Sequence, residues 1–290
     1  MNFLQVLILA VLQGISGFLP ISSTGHLVVI GHLLMVDAEN GVLLAGVLNI
    51  GSLLAIIVIL RNDVVNLGVA LWDICADVIG NGKTLWYNKR QNDARRYRKI
   101  LSNDNRKFAT MIMISLIPTV IIELFLKTLV QNFQSSLLAT GAGLLITTVF
   151  LLVASFTRQG KKKPLDIDYR VAVLIGVLQG FAGLPGISRL GITIAVCLIC
   201  GFTCKFAIKY SFILNIPITI GTSIITLTTL SKNALNVEVI VYCILGILIV
   251  AIVGLICAKM TISLIRINYL EYFAGYSLII GIVALVYHFI

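Results

Sequence analysis

The chain has 290 residues, of which 59% are hydrophobic and 12% charged, and its formal net charge is +10. A soluble domain carries about 25% charged residues, so this composition excludes an ordinary soluble protein and favours burial of apolar surface in lipid. The sequence predicts an all-α polytopic membrane protein that forms a single membrane domain over residues 1–290.

Residues 1–35 form the first apolar region, which turn-forming and polar residues interrupt. These are Gln13, Gly14, Gly17, Pro20 and Gly25. Each of the two resulting pieces has about 12 to 17 residues, fewer than the ~20 that a helix needs to cross a bilayer. Irregular backbone at membrane depth requires surrounding protein or a water-filled cavity, so the pattern predicts a re-entrant helix hairpin.

Six later stretches are apolar over the length of a full transmembrane helix. They are residues 41–60, 108–126, 136–156, 208–230, 237–257 and 268–289. Between the first two stretches, residues 62–82 place Asp73 and Asp77 on one polar face and predict an interfacial helix. A basic loop, residues 83–107, follows this predicted helix.

A second interrupted region, residues 171–204, repeats the pattern of the first. Residues 178–183 have the sequence Leu-Gln-Gly-Phe-Ala-Gly, where residues 12–17 have Leu-Gln-Gly-Ile-Ser-Gly. A Leu-Pro pair follows each of these motifs. The second region therefore predicts a second re-entrant hairpin.

Three full spans follow each hairpin motif. Because three is an odd number, the two halves are predicted to be oppositely oriented, as in membrane proteins built from inverted-topology repeats. The repeats cover about residues 1–156 and 171–290. Within them, Ser22 or Ser23 falls near Ser188.

Lys and Arg are concentrated in two segments, with nine in residues 83–107 and five in residues 158–170. The positive-inside rule places both segments in the cytoplasm, where they also meet anionic headgroups. This predicts a multi-pass protein of the plasma membrane. Nucleic-acid binding needs aromatic residues for base stacking. Because the first segment offers only Trp86, Tyr87 and Tyr97, no nucleic-acid partner is expected.

The first hairpin carries Ser22, Ser23, Thr24, Gly25 and His26 at a predicted helix start. Backbone N–H groups at a helix N-terminus bind anions, hydroxyl side chains add donors, and glycine lets a ligand approach the backbone. His26 follows Ser23 by about one helical turn and is a candidate general base or acid. The alternative is a Ser/Thr N-cap with a histidine that is satisfied inside the fold.

The second hairpin carries Gly186, Ser188 and Arg189. A charge at membrane depth is costly and faces a partner or a cavity. Neither hairpin core contains a carboxylate, so an anionic ligand is the best available partner for Arg189, whose planar guanidinium suits phosphate. The alternative is extension of Arg189 to the membrane interface. Gln13 and Gln179, at matching positions, either orient water or phosphate or join helices.

Other polar residues of the spans receive structural interpretations. Glu123 and Lys127 are four residues apart, which predicts an ion pair near an interface. Asn49 and Asn215 are assigned to packing between helices. The hydroxyls, His26 and Arg189 together predict a phosphate site at membrane depth.

At the two hairpin motifs the sequence resembles the undecaprenyl pyrophosphate phosphatase family, the bacitracin-resistance proteins. The similar segments are residues 19–26 and 185–189 and, more weakly, 51–55, 117–118, 211–214 and 216–217. The resemblance runs the full length and implies six spans plus two re-entrant hairpins arranged as inverted repeats. It also implies removal of the terminal phosphate from a C55 polyprenyl diphosphate, in a site that opens outward. The product would be the monophosphate carrier that is recycled for cell-wall synthesis.

The resemblance assigns roles to residues of both hairpins. The expected catalytic residues are Ser23, His26 and Arg189. The expected substrate phosphate-binding residues are Gln13, Ser22, Thr24, Gly25, Gly186 and Ser188. Ser23 matches a hydroxyl proposed as nucleophile or phosphate ligand, and His26 matches the proposed catalytic histidine.

The sequence also departs from the family pattern. The family has Glu or Gln followed four residues later by Glu, which is thought to help bind a divalent metal or position water; here these positions are Gln13 and Gly17. Leu190 and Ser277 replace a Ser and an Arg that are usual in the family. The implied cofactor is Mg²⁺ or Ca²⁺, with no assigned ligand residue.

Two functions follow as hypotheses. The leading one is hydrolysis of the polyprenyl diphosphate, and the alternative is a non-hydrolytic polyprenyl-phosphate binder or flippase that has lost the carboxylate. Assembly as a homodimer is left open.

Overall fold

The computed structural model describes residues 2–91, 94–157, 160–162, 166–229, 237–265 and 269–289, with the backbone alone at residues 229 and 263–265. The helices in these ranges are α1 (Phe3–Ser16), α2 (Ser23–Leu33), α3 (Ala38–Ile59), α4 (Arg61–Arg90), α5 (Asp104–Phe125), α6 (Lys127–Phe133), α7 (Leu137–Ser155), α8 (Tyr169–Phe181), α9 (Arg189–Ile199), α10 (Cys204–Thr229), α11 (Val237–Ile265) and α12 (Leu270–Phe289). Helices α3, α5, α7, α10, α11 and α12 are long and apolar enough to cross a membrane. The six predicted spans and the polytopic all-α class are therefore confirmed.

The four helices of the two predicted hairpin regions are too short to cross a bilayer. Helices α1 and α2 have 14 and 11 residues, and α8 and α9 have 13 and 11, whereas a span needs about 20. They form two helix–turn–helix units at the places where the sequence predicts hairpins. Entry of these units into the membrane from opposite sides stays a prediction.

Serine caps begin the second helix of each unit. The hydroxyl of Ser22 accepts a hydrogen bond from the N–H of Gly25, and that of Ser188 accepts one from Gly191. Such caps satisfy backbone donors that a helix start leaves open. Because Ser22 and Ser188 share this role, Ser22 rather than Ser23 is the counterpart of Ser188.

The two halves exchange equivalent packing contacts. Helix α1 packs on α11 as α8 packs on α5, and α3 contacts α10 while α7 contacts α12. Matching glycines lie at the first two contacts, where a Cβ on Gly14 would meet Val253 and one on Gly180 would meet Ile122. This exchange is the packing expected of two repeats related by a pseudo-two-fold axis.

Helix α4 is longer than the predicted 62–82 and includes the first eight residues of the predicted loop 83–107. Its acidic face holds the first turn of α5 and the segment before it. Asp77 contacts Arg98 at 3.2 Å and Arg106 at 2.7 Å, and Arg106 also contacts Asp73 at 3.1 Å. Hydrogen bonds from Arg106 and Arg98 lower the pKa of the Asp77 carboxyl below its ordinary value. The polar face of α4 is therefore occupied by the chain's own arginines.

Candidate active site

The turns of the two hairpin units meet each other through glycines. A Cβ on Gly25 would lie 3.1 Å from the Cα of Gly186, and a Cβ on Gly191 would lie 2.8 Å from the carbonyl oxygen of Pro20. Gly186 has a φ of +82°, which L side chains rarely adopt. Only glycine at these positions lets the starts of α2 and α9 approach one another.

Ser22 holds a strained conformation at the tip of the first hairpin. Its φ of +68° lies in the left-handed region, which is uncommon for a residue other than glycine. The carbonyl oxygen of Ser22 accepts hydrogen bonds from the N–H and the Nδ1 of His26, at 3.2 and 2.7 Å. Such strain persists only where the surroundings enforce it. Here His26 stabilises the turn that presents Ser23 and Thr24.

His26 lies beneath this turn and is buried, with 3% of its surface exposed. Because a carbonyl oxygen only accepts, Nδ1 carries the proton toward Ser22 and Nε2 is left to accept from the hydroxyl of Tyr276, 3.0 Å away. Neither ring nitrogen hydrogen-bonds the Ser23 hydroxyl in the described part of the chain. His26 thus shares a turn with Ser23, as expected, but acts on the backbone beneath it.

A polar cavity of about 70 Å³ lies between the two hairpin tips. It brings together six of the predicted site residues, Gln13, Ser22, Ser23, Thr24, Ser188 and Arg189. Gly25 and Gly186 instead form the contact between the tips. His26 does not line the cavity and lies behind the residues that do. Gly17 also borders the cavity, and a Cβ there would lie 2.7 Å from the carbonyl oxygen of Gln13. The backbone at this position is therefore packed for glycine.

The cavity has further polar residues that the sequence interpretation missed. They are Ser16, Asn49, Ser52, Asn215 and Thr219. The amide of Gln13 donates to Asn49 at 2.9 Å and approaches Ser52 at 3.4 Å. Asn49 follows Gln13 by 36 residues, and Asn215 follows Gln179 by the same number. This equal spacing in the two repeats marks two asparagines that border the cavity, and Asn49 also joins α1 to α3, in agreement with its assignment to packing between helices.

Two buried amide oxygens of the cavity accept no hydrogen bond from any residue that the structure describes. They are Oε1 of Gln13 and Oδ1 of Asn215. A buried acceptor without a donor is costly, and both residues border the same polar space. The arrangement suits a bound group that donates hydrogen bonds or coordinates oxygen, such as water or a hard cation.

Arg189 is the first residue of α9 and lies beside an acidic side chain that the sequence did not pair with it. Its Nη2 is 3.0 Å from Oε1 of Glu123 on α5. The prediction that Glu123 pairs with Lys127 is therefore wrong, and Arg189 does not depend on a ligand for its counter-charge. The local four-residue rule failed because the tertiary contact between α5 and the second hairpin brings a stronger partner.

A larger, mostly apolar groove of about 210 Å³ adjoins the polar cavity. Its walls include Leu27, Val28, Val42, Ala45 and Val130. The groove and the cavity share three residues, Thr24, Asn49 and Arg189. A polar cavity and an apolar groove therefore lie side by side at these three residues, an arrangement that suits an amphiphilic ligand.

Comparison with known proteins agrees with the resemblance. The pattern of the family described as bacitracin resistance protein BacA matches residues 6–283. An undecaprenyl-diphosphatase of Alkaliphilus metalliredigens is 30% identical over 99% of both chains. One of Methanosphaera stadtmanae is 32% identical, covering 99% of this chain and 98% of the relative, and one of Korarchaeum cryptofilum is 34% identical, covering 98% and 99%. The chain belongs to the bacitracin resistance protein BacA family.

Proposed function

We propose that this protein hydrolyses a polyprenyl diphosphate, with undecaprenyl diphosphate as the first candidate, to the monophosphate. The observation that carries the proposal is that the polar cavity and the apolar groove lie side by side, with Arg189 lining both. The cavity suits the diphosphate head and the groove suits the first isoprene units. The names of the relatives support hydrolysis over a non-hydrolytic binder or flippase.

The starts of two helices supply donors for the diphosphate. The hydroxyl of Ser22 accepts a hydrogen bond from the N–H of Gly25, and its carbonyl oxygen accepts one from the N–H of His26. The N–H groups of Ser23 and Thr24 therefore remain at the N-terminus of α2, beside the cavity. Helix α9 begins at the same cavity with Arg189. Unpaired N–H groups, the helix dipole and a guanidinium all favour a phosphate oxygen.

Hydrolysis requires attack on the outer phosphorus. A water molecule forms the new P–O bond and passes its proton to a phosphate oxygen, the bond to the bridging oxygen breaks, and the lipid monophosphate leaves with the electron pair. Where the hydroxyl of Ser23 attacks first, water then cleaves the resulting phosphoserine and releases inorganic phosphate. Oε1 of Gln13 and Oδ1 of Asn215 accept no hydrogen bond from the described residues, so they are available either to orient the attacking water or to contact a bound cation. Arg189 stabilises charge that develops on the phosphoryl oxygens. His26 holds the turn that positions Ser23.

A divalent cation is the cofactor that the family resemblance implies. Mg²⁺ and Ca²⁺ take oxygen ligands, amide carbonyls included, and the free oxygens of Gln13 and Asn215 fit that preference. Within the described ranges no group of three or more acidic, His or Cys side chains gathers to hold a metal. These two amides would hold the cation together with diphosphate oxygens, and it would neutralise phosphoryl charge.

The groove opens at one end of the bundle, and this suggests an orientation. Residues near the N-terminus of α3 and near the C-terminus of α10 line the groove. The opposite ends of these helices lie near Arg61 and Lys209, and Lys209 contacts Asp63 at 2.6 Å. With the basic ends in the cytoplasm, the groove faces the outside of the plasma membrane.

The test is phosphate release from undecaprenyl diphosphate by purified protein in detergent, with Mg²⁺, with Ca²⁺ and with a chelator. The native chain should release phosphate, and Arg189→Gln should lower the rate by roughly a hundredfold. Arg170→Gln removes an exposed arginine at the start of α8 and should leave the rate unchanged. Lipid binding without release by the native chain would instead support the non-hydrolytic binder.

A further inference from the structure

A carboxylate lies beside the site through its contact with Arg189, although the family's position for a carboxylate is glycine here. Gly17 and Gly183 occupy matching places in the two repeated motifs. Glu123 of α5 packs against Gly183, where a Cβ would lie 3.4 Å from its Cγ and 3.6 Å from its Oε1. These distances are ordinary van der Waals contacts, so Glu123 lies directly against this turn and brings a carboxylate to the second hairpin.

Glu123 and Arg189 form the ion pair nearest to the cavity in the described part of the chain, and both remain accessible. Their side chains are 20% and 25% exposed, and the Nη2–Oε1 distance is 3.0 Å. The contact satisfies the guanidinium only in part. Among the described residues, the buried Nε of Arg189 has no hydrogen-bond partner, and Oε1 of Glu123, although within ion-pair distance, accepts no hydrogen bond. Arg189 therefore keeps donors for an anion.

An unpaired arginine at this depth would be costly, so the empty site needs a counter-charge. A diphosphate carries more negative charge than a carboxylate and accepts two parallel hydrogen bonds from a guanidinium. Arg189 borders both the cavity and the groove, so an entering diphosphate reaches it directly. A carboxylate and a phosphate would then compete for the same guanidinium.

We propose that Glu123 is the resident counter-ion of Arg189, which holds the guanidinium while the site is empty and yields it to the diphosphate on binding. This inference rests on the function proposed above. Glu123 is a positioning residue, because it acts through Arg189. When the phosphate leaves, Glu123 takes the guanidinium back, which limits how tightly the product is held.

The test measures binding and turnover separately in Glu123→Gln, which keeps the size of the side chain and removes its charge. Binding of farnesyl diphosphate is followed by thermal shift of the detergent-purified protein. The dissociation constant of farnesyl diphosphate should be roughly tenfold lower in Glu123→Gln than in the native chain. The Glu123 carboxylate no longer competes for Arg189 and no longer repels the phosphate. Turnover should fall, because phosphate release slows. A residue that only supports the fold would weaken binding and turnover together.

Glu271→Gln is the matched control, since it removes an exposed carboxylate from the start of α12, and it should change neither quantity. Unchanged or weaker binding in a folded Glu123→Gln protein would overturn the proposal. If that variant does not fold, Glu123→Asp is used instead, because its side chain is one methylene shorter and its carboxylate lies farther from Arg189. It should still bind the probe more tightly than the native chain, and equal or weaker binding would overturn the proposal.

The binding measurement needs no turnover, so the two proposals fail separately. A native chain that binds farnesyl diphosphate but releases no phosphate contradicts the proposed hydrolysis. The effect of Glu123→Gln on binding then still decides whether Glu123 competes for Arg189. A double-mutant cycle with Arg189→Gln tests the link between the two residues. In the Arg189→Gln background, Glu123→Gln should no longer change the dissociation constant of farnesyl diphosphate.

Discussion

His26 and Tyr276 lie with their rings parallel, 250 residues apart in the chain. Their centroids are 5.4 Å apart with an angle of 8° between the planes, and Nε2 of His26 is 3.0 Å from the Tyr276 hydroxyl. On its other side the imidazole donates to the carbonyl oxygen of Ser22. A continuous chain of hydrogen bonds therefore runs from α12 to the strained turn that begins α2.

Tyr276→Phe keeps the stacked ring and removes the hydroxyl. The buried Nε2 of His26 then lacks a donor, which should cost about 1–3 kcal/mol in the free energy of unfolding. Phosphate release should fall several-fold as the turn at Ser22 loosens. Both are measured on the purified variant. Tyr272→Phe, on the same helix but 64% exposed, is the control, and equal effects of the two substitutions would argue against the link.

Substitutions at His26 separate positioning from proton transfer. The amide of His26→Asn places a donor near the site of Nδ1 and keeps part of the support for Ser22, whereas His26→Ala removes it. The structure predicts that Asn retains phosphate release within about tenfold of the native rate and that Ala loses more. The initial rate at saturating substrate is the measurement. Equal inactivity of both variants, each correctly folded, would mean that the imidazole transfers a proton.

Gly143 of α7 supports the second hairpin from behind. A Cβ there would collide with the carbonyl oxygen of Pro185 and the backbone of Gly186. Gly143→Ala should push the hairpin out of place, lowering stability by about 1–3 kcal/mol and abolishing most phosphate release. Thermal unfolding and the release assay test this together.

The control for Gly143→Ala is Gly221→Ala in α10, where an added Cβ meets nothing within 4 Å. Alanine is the better helix former by up to about 1 kcal/mol, so this variant should be unchanged or more stable. A well-folded, active Gly143→Ala protein would show that the hairpin tips are not held by this contact.

Asp77 makes the contact between α4 and the segment before α5 sensitive to acid. Its pKa is lowered in the folded protein by Arg106 and Arg98, so its contribution to stability is present at neutral pH and is lost as the pH falls below about 4. Asp77→Asn should unfold at a lower temperature than the native chain at pH 7. The difference should shrink as the pH falls, and a constant difference would contradict the assignment.

The spans and the hairpins could be predicted from the sequence because both depend on local length and apolarity. The short pieces around Gly17 and Gly183 predicted half-length helices, and the repeat predicted that the tips carry the site. The length of α4 could not be predicted, since its last turns are stabilised by arginines that follow it in the chain. Which of Ser22 and Ser23 caps α2 also required the structure.

The side-chain partners could not be read from local spacing. Glu123 lies 66 positions before Arg189 in the sequence, and nothing in its own helix indicates that α5 packs on the second hairpin. The contact between Tyr276 and His26 could not be predicted either, because 250 residues separate them in the sequence. The spacing of Gln13 to Asn49, repeated from Gln179 to Asn215, was available in the sequence and is the stronger guide to the cavity.

In the proposed reaction, this cavity directs water to the outer phosphorus of a polyprenyl diphosphate without a carboxylate at Gly17. Hydrolysis of undecaprenyl diphosphate in ¹⁸O-labelled water, with mass analysis of both products, shows which phosphorus is attacked. One labelled oxygen should enter inorganic phosphate and none should enter the lipid monophosphate. Label in the lipid monophosphate, or no released phosphate from a folded protein that binds the lipid, would contradict it.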